Sequence, residues 1–173
     1  KTMESELRVA LEKDEFYLVF QPQVNTHDKR IIGVEALLRW NHPERGFVSP
    51  GEFIPVAEHS NLIIPIGAWV LQEACRQAVI WRESGHGDLV VSVNVSPAQF
   101  RHHDLLRTVS DALFNSGLDP SKLCVEITEG VVMQDAEENL DILRKLREQE
   151  ITIALDDFGT GYSSLSYLVS LPI

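Results

Sequence analysis

Two adjacent carboxylates, Asp156 and Asp157, directly follow an apolar, β-branched run that begins at Ile151. Such a run predicts a buried strand, so the two carboxylates would lie at the rim of the core. Bringing two like charges together away from water is unfavourable unless a cation or a proton compensates for them. If a cation compensates for them, other segments of the chain should supply its further ligands.

Three more polar side chains, Glu35, Asn94 and Glu126, lie at or near the ends of other apolar segments. In α/β folds the carboxyl ends of parallel strands meet at one edge of the sheet, where active sites form. All of these side chains offer oxygen, which suits Mg²⁺ or Mn²⁺ better than zinc. Two such ions, ~3.5–4 Å apart and bridged by a shared carboxylate, would support in-line attack of water on a phosphodiester.

Each of these residues also has a purely structural interpretation. A single carboxylate at a strand end is more often a helix cap or a surface charge, and Asn94 before Ser96-Pro97 could simply organise a turn. Four such positions in equivalent places are harder to explain as caps. The spacing alone leaves a metal site and a structural role about equally supported.

The first elements that must position these residues are two strands, Phe16–Val24 and Ile31–Trp40. The polar turn between them is too short for a parallel crossover, so an antiparallel hairpin is predicted. Residues 41–48 are interpreted as a loop. Ser49-Pro-Gly-Glu52 then has the order of a capping box and predicts a helix start.

Strands that alternate with amphipathic helices follow from this point. A long helix is predicted over Ile64–Glu83, and another ends near Gly117. The alternation implies βαβ units and a parallel sheet. Apolar β-type runs predict the later strands at 89–95, 123–127 and 151–155.

Composition restricts the class of protein. The chain has 173 residues, of which 44% are hydrophobic, and this suits one soluble globular domain with a core of its own. Its formal net charge of -11 makes it a poor binder of polymeric nucleic acid, because such binding relies on Lys and Arg. Cys75 and Cys124 are expected to be buried free thiols in a reducing, cytoplasmic setting.

Five separated motifs follow one another along the chain. They are Gln21-Pro22, Glu35-Ala-Leu37 extended by Leu-Arg-Trp, Asn94-Val-Ser96, Glu126-Ile-Thr-Glu129, and the segment from Asp156 to Leu165. In this order they resemble the motifs of the EAL domain family of cyclic-di-GMP phosphodiesterases. The resemblance runs from about Phe16 to the last residue.

The resemblance implies an α/β fold, a TIM-like (β/α)8 barrel whose first strand runs antiparallel to the others. It also implies hydrolysis of cyclic-di-GMP to linear pGpG with two Mg²⁺ or Mn²⁺ ions per site. The catalytic carboxylates would be Glu35, Glu126, Asp156 and Asp157. The metal ligands would be these four residues together with Asn94.

The resemblance assigns three further roles. Gln21 and Arg39 would contact the substrate, since a guanidinium can pair with a phosphate oxygen. Glu129 would hold the loop from Asp156 to Leu165, which shapes the second metal site and is linked to dimerisation. A homodimer is therefore expected.

The chain departs from the family at its C-terminal end. A barrel of this type usually needs roughly 250 residues, so residues 1–173 would supply only about the first two-thirds of a single domain. The family's Lys-Ile-Asp strand and a later metal-binding glutamate are missing. We expect that the native protein continues beyond Ile173, and that a fragment ending there would itself be inactive. The first residue, Lys1, likewise suggests an excised domain.

Two alternatives to a phosphodiesterase remain. One is a non-catalytic module that senses cyclic-di-GMP, and the other is a scaffold for protein interactions. The family is commonly fused to sensory or cyclase domains, so the cytoplasmic part of a membrane-attached protein is also consistent with the sequence.

Overall fold

A computed structural model of the chain describes residues 2–101, 104–128, 130–131 and 136–156. The strands are β1 (Phe16–Val24), β2 (Ile31–His42), β3 (Gly46–Val48), β4 (Val90–Asn94), β5 (Leu123–Thr128) and β6 (Thr152–Asp156). The helices are α1 (Met3–Glu12), α2 (Pro50–His59), α3 (Ile63–Glu83), α4 (Pro97–Arg101), α5 (Leu105–Ser116) and α6 (Ala136–Glu148), with a 3₁₀ turn at Pro120–Lys122.

The strands form one sheet in the order β1-β2-β4-β5-β6, and β3 pairs with β2 outside this path. β1 and β2 are antiparallel, whereas β2, β4, β5 and β6 are mutually parallel. The predicted hairpin, the predicted parallel sheet and the antiparallel first strand are confirmed. The short turn after Val24 explains the direction of β1, because it allows only a hairpin.

Side chains alternate between the two faces of the parallel strands, as the strand period of two requires. One face is apolar and buried in the core, as shown by Ala36, Val91, Val93, Val125 and Ile153. The strand residues between these positions lie on the opposite face, and several of them are polar. The packing that stabilises the sheet is therefore on one face, and the other face is left for polar side chains.

An aromatic cluster joins the hairpin to α2. The ring centroid of Trp40 lies 5.9 Å from that of Phe16 and 5.6 Å from that of Phe53. Trp40 is fully buried, and its indole Nε1 donates to Glu15 Oε2 over 3.0 Å. The polar atom of this large core residue is thus satisfied.

The interpretation of residues 41–48 as a loop was wrong. β2 continues to His42, and β3 pairs with it through Trp40 with Val48 and His42 with Gly46. The turn between them uses His42 Nδ1 as acceptor for the backbone N–H groups of Glu44 and Arg45, at 3.1 and 3.2 Å. A three-residue strand is too short to show any periodicity, so the sequence pattern did not reveal it.

Two predicted helix boundaries are confirmed in position, but only one of them has the predicted local cause. α5 ends where predicted, because Gly117 adopts a left-handed φ of 72° and its N–H donates to Leu113 O over 2.9 Å. α2 begins after Ser49 as predicted, but the Ser49 side chain makes no capping hydrogen bond. The start of α2 therefore depends on Pro50 and the backbone instead of a capping box.

Cys75 and Cys124 are free and buried, as predicted. In the part of the chain that the structure describes, no helix is long and apolar enough to cross a lipid bilayer.

Candidate functional site

Four of the predicted site residues, Glu35, Asn94, Glu126 and Asp156, share the polar face of the sheet. Asn94 is the last residue of β4 and pairs in register with Glu126 on the neighbouring strand β5. Asp156 is the last residue of β6 and pairs with Thr128. Three of the predicted residues thus lie on consecutive parallel strands, near the carboxyl end of each.

Glu35 reaches the same region although it lies in the middle of β2. Only Gly33–Ala36 of β2 pairs with β4, and Glu35 is in register with Ser92. Beyond this point β2 continues outward to pair with β3. Glu35 therefore lies near the end of the parallel pairing even though it is not at the end of its own strand.

Glu35 and Asn94 are in direct contact. The side-chain nitrogen Nδ2 of Asn94 donates a hydrogen bond to Glu35 Oε1 over 2.8 Å. A carboxylate acceptor makes this bond stronger than one between neutral groups.

Glu126 is half-buried among negative charges. Burial raises the pKa of its carboxyl above the ordinary value, and the charges of Glu35 and Asp156 raise it further. Hydrogen bonds from Ser92 and Gln23 act in the opposite direction and favour the ionised form. Two neutral donors thus favour the carboxylate, while burial and the two neighbouring carboxylates outweigh them and keep its pKa raised.

A cavity of about 390 Å³ opens beside these residues. Its polar wall includes Arg39, Asn94, Glu126 and Asp156. Its apolar wall is formed by residues of α2, α3 and the start of α4, among them Ile54, Ile63, Ile66, Val70 and Pro97. An apolar cavity with a few convergent polar groups is the usual form of a small-molecule site.

The residues predicted to contact substrate lie in different positions. Arg39 lines the cavity, half-buried, and its guanidinium donates to Leu38 O over 2.9 Å. Gln21 lies directly opposite Glu35 on β1, so both side chains are on the same face of the sheet. Asp157 and Glu129 lie outside the described residues.

Among the residues that the structure describes, no three His, Cys, Asp or Glu side chains are close enough together to form a metal site by themselves. The donor set nevertheless fits a hard divalent ion. Its side chains offer carboxylate and amide oxygen. The pKa of the Glu126 carboxyl is raised by burial first and by the charges of Glu35 and Asp156 second, and a cation would offset those charges. The metal ligands that resemblance implied therefore stay predictions.

Sequence reasoning missed Gln23 and Ser92, the two hydrogen-bond donors to Glu126. Ser92 is only 2% exposed. The strand period of two could have indicated both, because Gln23 is two residues from Gln21 and Ser92 is two residues from Asn94. Glu58, which also lines the cavity, was missed as well, because no local pattern in the sequence marks it.

Comparison with known proteins gives consistent results. The chain is 49% identical over 167 residues to the bifunctional diguanylate cyclase/cyclic di-GMP phosphodiesterase MucR of Pseudomonas aeruginosa, covering 96% of this chain and 24% of that protein. It thus spans about a quarter of the length of this relative. A solved structure of the PaMucR phosphodiesterase in complex with c-di-GMP superposes with a TM-score of 0.93 at 48% identity, covering 98% of this chain and 69% of that one.

A second solved structure, of the EAL enzyme Bd1971 in its cAMP- and cyclic-di-GMP-bound form, superposes with a TM-score of 0.90 at 37% identity. The match covers 99% of this chain and 47% of that one. The family profile of the EAL domain matches residues 4–173, which is nearly the whole chain. The chain therefore belongs to the EAL domain family, as its five motifs predicted, and its sheet matches the TIM-barrel-like fold of that family.

Proposed function

We propose that this domain hydrolyses one phosphodiester of cyclic-di-GMP to give linear pGpG. The observation that carries the proposal is the hydrogen-bonded pair of Glu35 and Asn94 beside the half-buried Glu126 carboxylate, with Asn94 and Glu126 lining a cavity of about 390 Å³. The names of two similar structures, which record bound cyclic-di-GMP, support the choice of substrate. The wall of the cavity is acidic, so a phosphate ligand needs metal ions or a placed arginine to be held.

The proposed metal ligands are Glu35, Asn94, Glu126 and Asp156, with Asp157 joining Asp156 at a second ion. When bound, two Mg²⁺ or Mn²⁺ ions would polarise the phosphoryl oxygen and activate water for in-line attack. The donor chemistry supports hard divalent ions of this kind.

The remaining residues bind and orient. Arg39 lines the cavity, and its guanidinium can reorient from Leu38 O to a phosphate oxygen. Hydrogen bonds from Ser92 and Gln23 favour the ionised form of Glu126, which is the form that binds a cation, against the opposing effect of burial. Gln21 lies across from Glu35 and is positioned for a substrate contact on the same face. Glu129 is proposed to stabilise the segment from Asp156 to Leu165.

A non-catalytic sensor of cyclic-di-GMP is the second candidate. The observation that favours it is the combination of a cavity-lining arginine with an extensive apolar wall, because groups of this kind can bind a ligand without any catalytic chemistry. Both candidates share the ligand and differ in whether pGpG appears.

The deciding experiment incubates the full-length protein with cyclic-di-GMP and Mn²⁺ and measures pGpG by chromatography. Formation of pGpG by the wild-type protein, and its loss in Glu35→Ala with binding partly retained, is the expected result. Binding without product would support the sensor. Equal turnover by Glu35→Ala would eliminate the proposed metal role of that residue. In Ca²⁺, which is larger and tolerates looser geometry, binding should persist while hydrolysis becomes slow.

The domain organisation and the oligomeric state of the native protein are also proposals. We propose that this chain is fused to sensory or cyclase domains in its native protein, and the length of MucR, of which the chain matches about a quarter, supports this proposal. We further propose a homodimer, which light scattering of the full-length protein would test. A monomer at micromolar concentration, with and without cyclic-di-GMP, would contradict it.

A further inference from the structure

Ser96 lies two residues beyond Asn94 and is held by a residue from a distant helix. Its hydroxyl Oγ donates to Glu58 Oε1 on α2 over 2.7 Å. The same hydroxyl oxygen accepts from the backbone N–H of Ala98 over 3.2 Å. The segment that carries Asn94 is thus attached to α2 by a charge-assisted hydrogen bond that spans 38 positions of sequence.

Gln99 completes a capping box at the start of α4. Its Oε1 accepts from the backbone N–H of Ser96 over 2.9 Å, while Ser96 Oγ caps Ala98. The Gln99 side chain is 5% exposed and lies directly against Gly67 of α3. A Cβ at position 67 would overlap the Gln99 amide, with its carbon Cδ only 2.7 Å away. Gly67 is therefore required for this close approach.

These contacts restrain the residue that precedes them. The backbone N–H of Val95 donates to Glu126 O over 2.9 Å, which keeps the end of β4 beside β5. Ser96, the next residue, is held from α2 by Glu58 and from α4 by Gln99. Asn94 is thereby restrained on its C-terminal side, and its side chain is restrained by Glu35.

We propose that Glu58, together with Ser96, Gln99 and Gly67, forms a positioning network that orients Asn94 for metal binding. A capping box needs only the serine and the glutamine, so the hydrogen bond from Ser96 to Glu58 is not required to start the helix. The inference rests on the proposed function, in which Asn94 is a metal ligand. Outer-shell partners of this kind orient the ligands that touch the metal.

The test measures Mn²⁺ affinity of the full-length protein by titration calorimetry, without substrate. Glu58→Ala removes the acceptor of Ser96 and should weaken Mn²⁺ binding about tenfold, whereas Glu58→Gln retains an acceptor and should recover part of the affinity. The matched control is Glu52→Ala, an exposed glutamate on the same helix, which should bind as the wild type does.

Two more variants test the network from other elements. Ser96→Ala should weaken Mn²⁺ binding about tenfold, and Ser96→Thr, which keeps the hydroxyl, should restore it. Gly67→Ala should displace Gln99 and also weaken binding. Its control is Gly51→Ala on α2, where an added Cβ meets only Ser49 Oγ at 3.7 Å.

The outcomes separate this network from the proposed reaction. Unchanged Mn²⁺ affinity in Glu58→Ala and Ser96→Ala would overturn the network, as would an equal loss in the Glu52→Ala control. Weaker cyclic-di-GMP binding in Glu58→Ala, with unchanged Mn²⁺ affinity, would also overturn it, because Glu58 would then be a ligand contact. No Mn²⁺ binding by the wild type overturns the metal site and this network together. Mn²⁺ binding without pGpG formation overturns the reaction alone.

Discussion

The side-chain nitrogen of Asn94 donates to Glu35 Oε1 over 2.8 Å, although 59 positions separate the two residues in sequence. This bond defines which end of the amide faces the carboxylate. With Nδ2 engaged by Glu35, the amide oxygen is the atom available for a cation. The hydrogen bond therefore orients the Asn94 side chain relative to the Glu35 carboxylate before any ion binds.

The first prediction concerns this bond. Asn94→Asp replaces the donor by a carboxylate and places two negative charges in contact, so without metal the variant should lose about 1 kcal/mol of unfolding free energy. Mn²⁺ should reduce that loss, because a cation compensates both carboxylates. Chemical denaturation in EDTA and in Mn²⁺ measures the difference. In Asn94→Ala, which has no added charge, Mn²⁺ should give no comparable recovery. A variant as stable in EDTA as the wild type would contradict the contact.

The second prediction concerns Glu126. Glu126→Gln removes a proposed ligand charge with little change of shape, so turnover of cyclic-di-GMP should fall by more than about 100-fold, beyond the usual effect of an outer-shell change. The same substitution removes a carboxyl whose pKa burial raises. The variant should therefore fold at least as stably as the wild type near pH 7 in EDTA. Glu137→Gln, at an exposed position of α6, is the control for both measurements. Turnover within twofold of wild type would exclude Glu126 from the reaction.

The third prediction concerns pH and Cys75. Burial raises the pKa of the Cys75 thiol to about 12, well above the value of about 8.5 expected in the unfolded chain. Between these values the unfolded state loses a proton that the folded state keeps. The stabilising contribution is therefore complete below about pH 8.5 and decreases as the pH rises towards 12.

Cys75→Ala should accordingly show a smaller loss of stability between about pH 8 and 10.5 than the wild-type protein shows. Urea denaturation at several pH values measures this difference in slope. Burial also raises the pKa of Cys124, so both thiols should resist alkylation in the native state and react in urea. Rapid alkylation of native protein at pH 8 would contradict the burial of these thiols.

The fourth prediction concerns a buried carboxylate far from the candidate site. Glu6 of α1 is only 9% exposed, and its Oε2 lies 3.1 Å from a guanidinium nitrogen of Arg45 in the β2–β3 turn. Arg45→Ala leaves this carboxylate without its main partner and should cost about 1–3 kcal/mol. Glu6→Gln in the same background should recover part of the loss. Arg8→Ala breaks an exposed pair with Glu4 and should change stability by less than about 0.5 kcal/mol. Equal effects of Arg45→Ala and Arg8→Ala would show that burial of Glu6 is unimportant.

Local sequence patterns predicted much of the architecture. The antiparallel hairpin followed from a connection too short for a crossover, and the end of α5 at Gly117 followed from the left-handed backbone that glycine permits. The placement of Asn94, Glu126 and Asp156 near strand ends followed from apolar runs that stop at a polar residue. These features depend on neighbours within a few residues, so they can be recognised from the sequence alone.

Contacts between distant segments were not predictable in this way. The bond between Asn94 and Glu35, the bond between Ser96 and Glu58, and the pairing of β3 with β2 all depend on which strands and helices become neighbours. The register of the sheet also placed Glu35, from the middle of its strand, beside the end of β4. Side-chain identity and period set which face each residue occupies, but only packing of the whole sheet against its helices sets the distances between oxygens from separate strands.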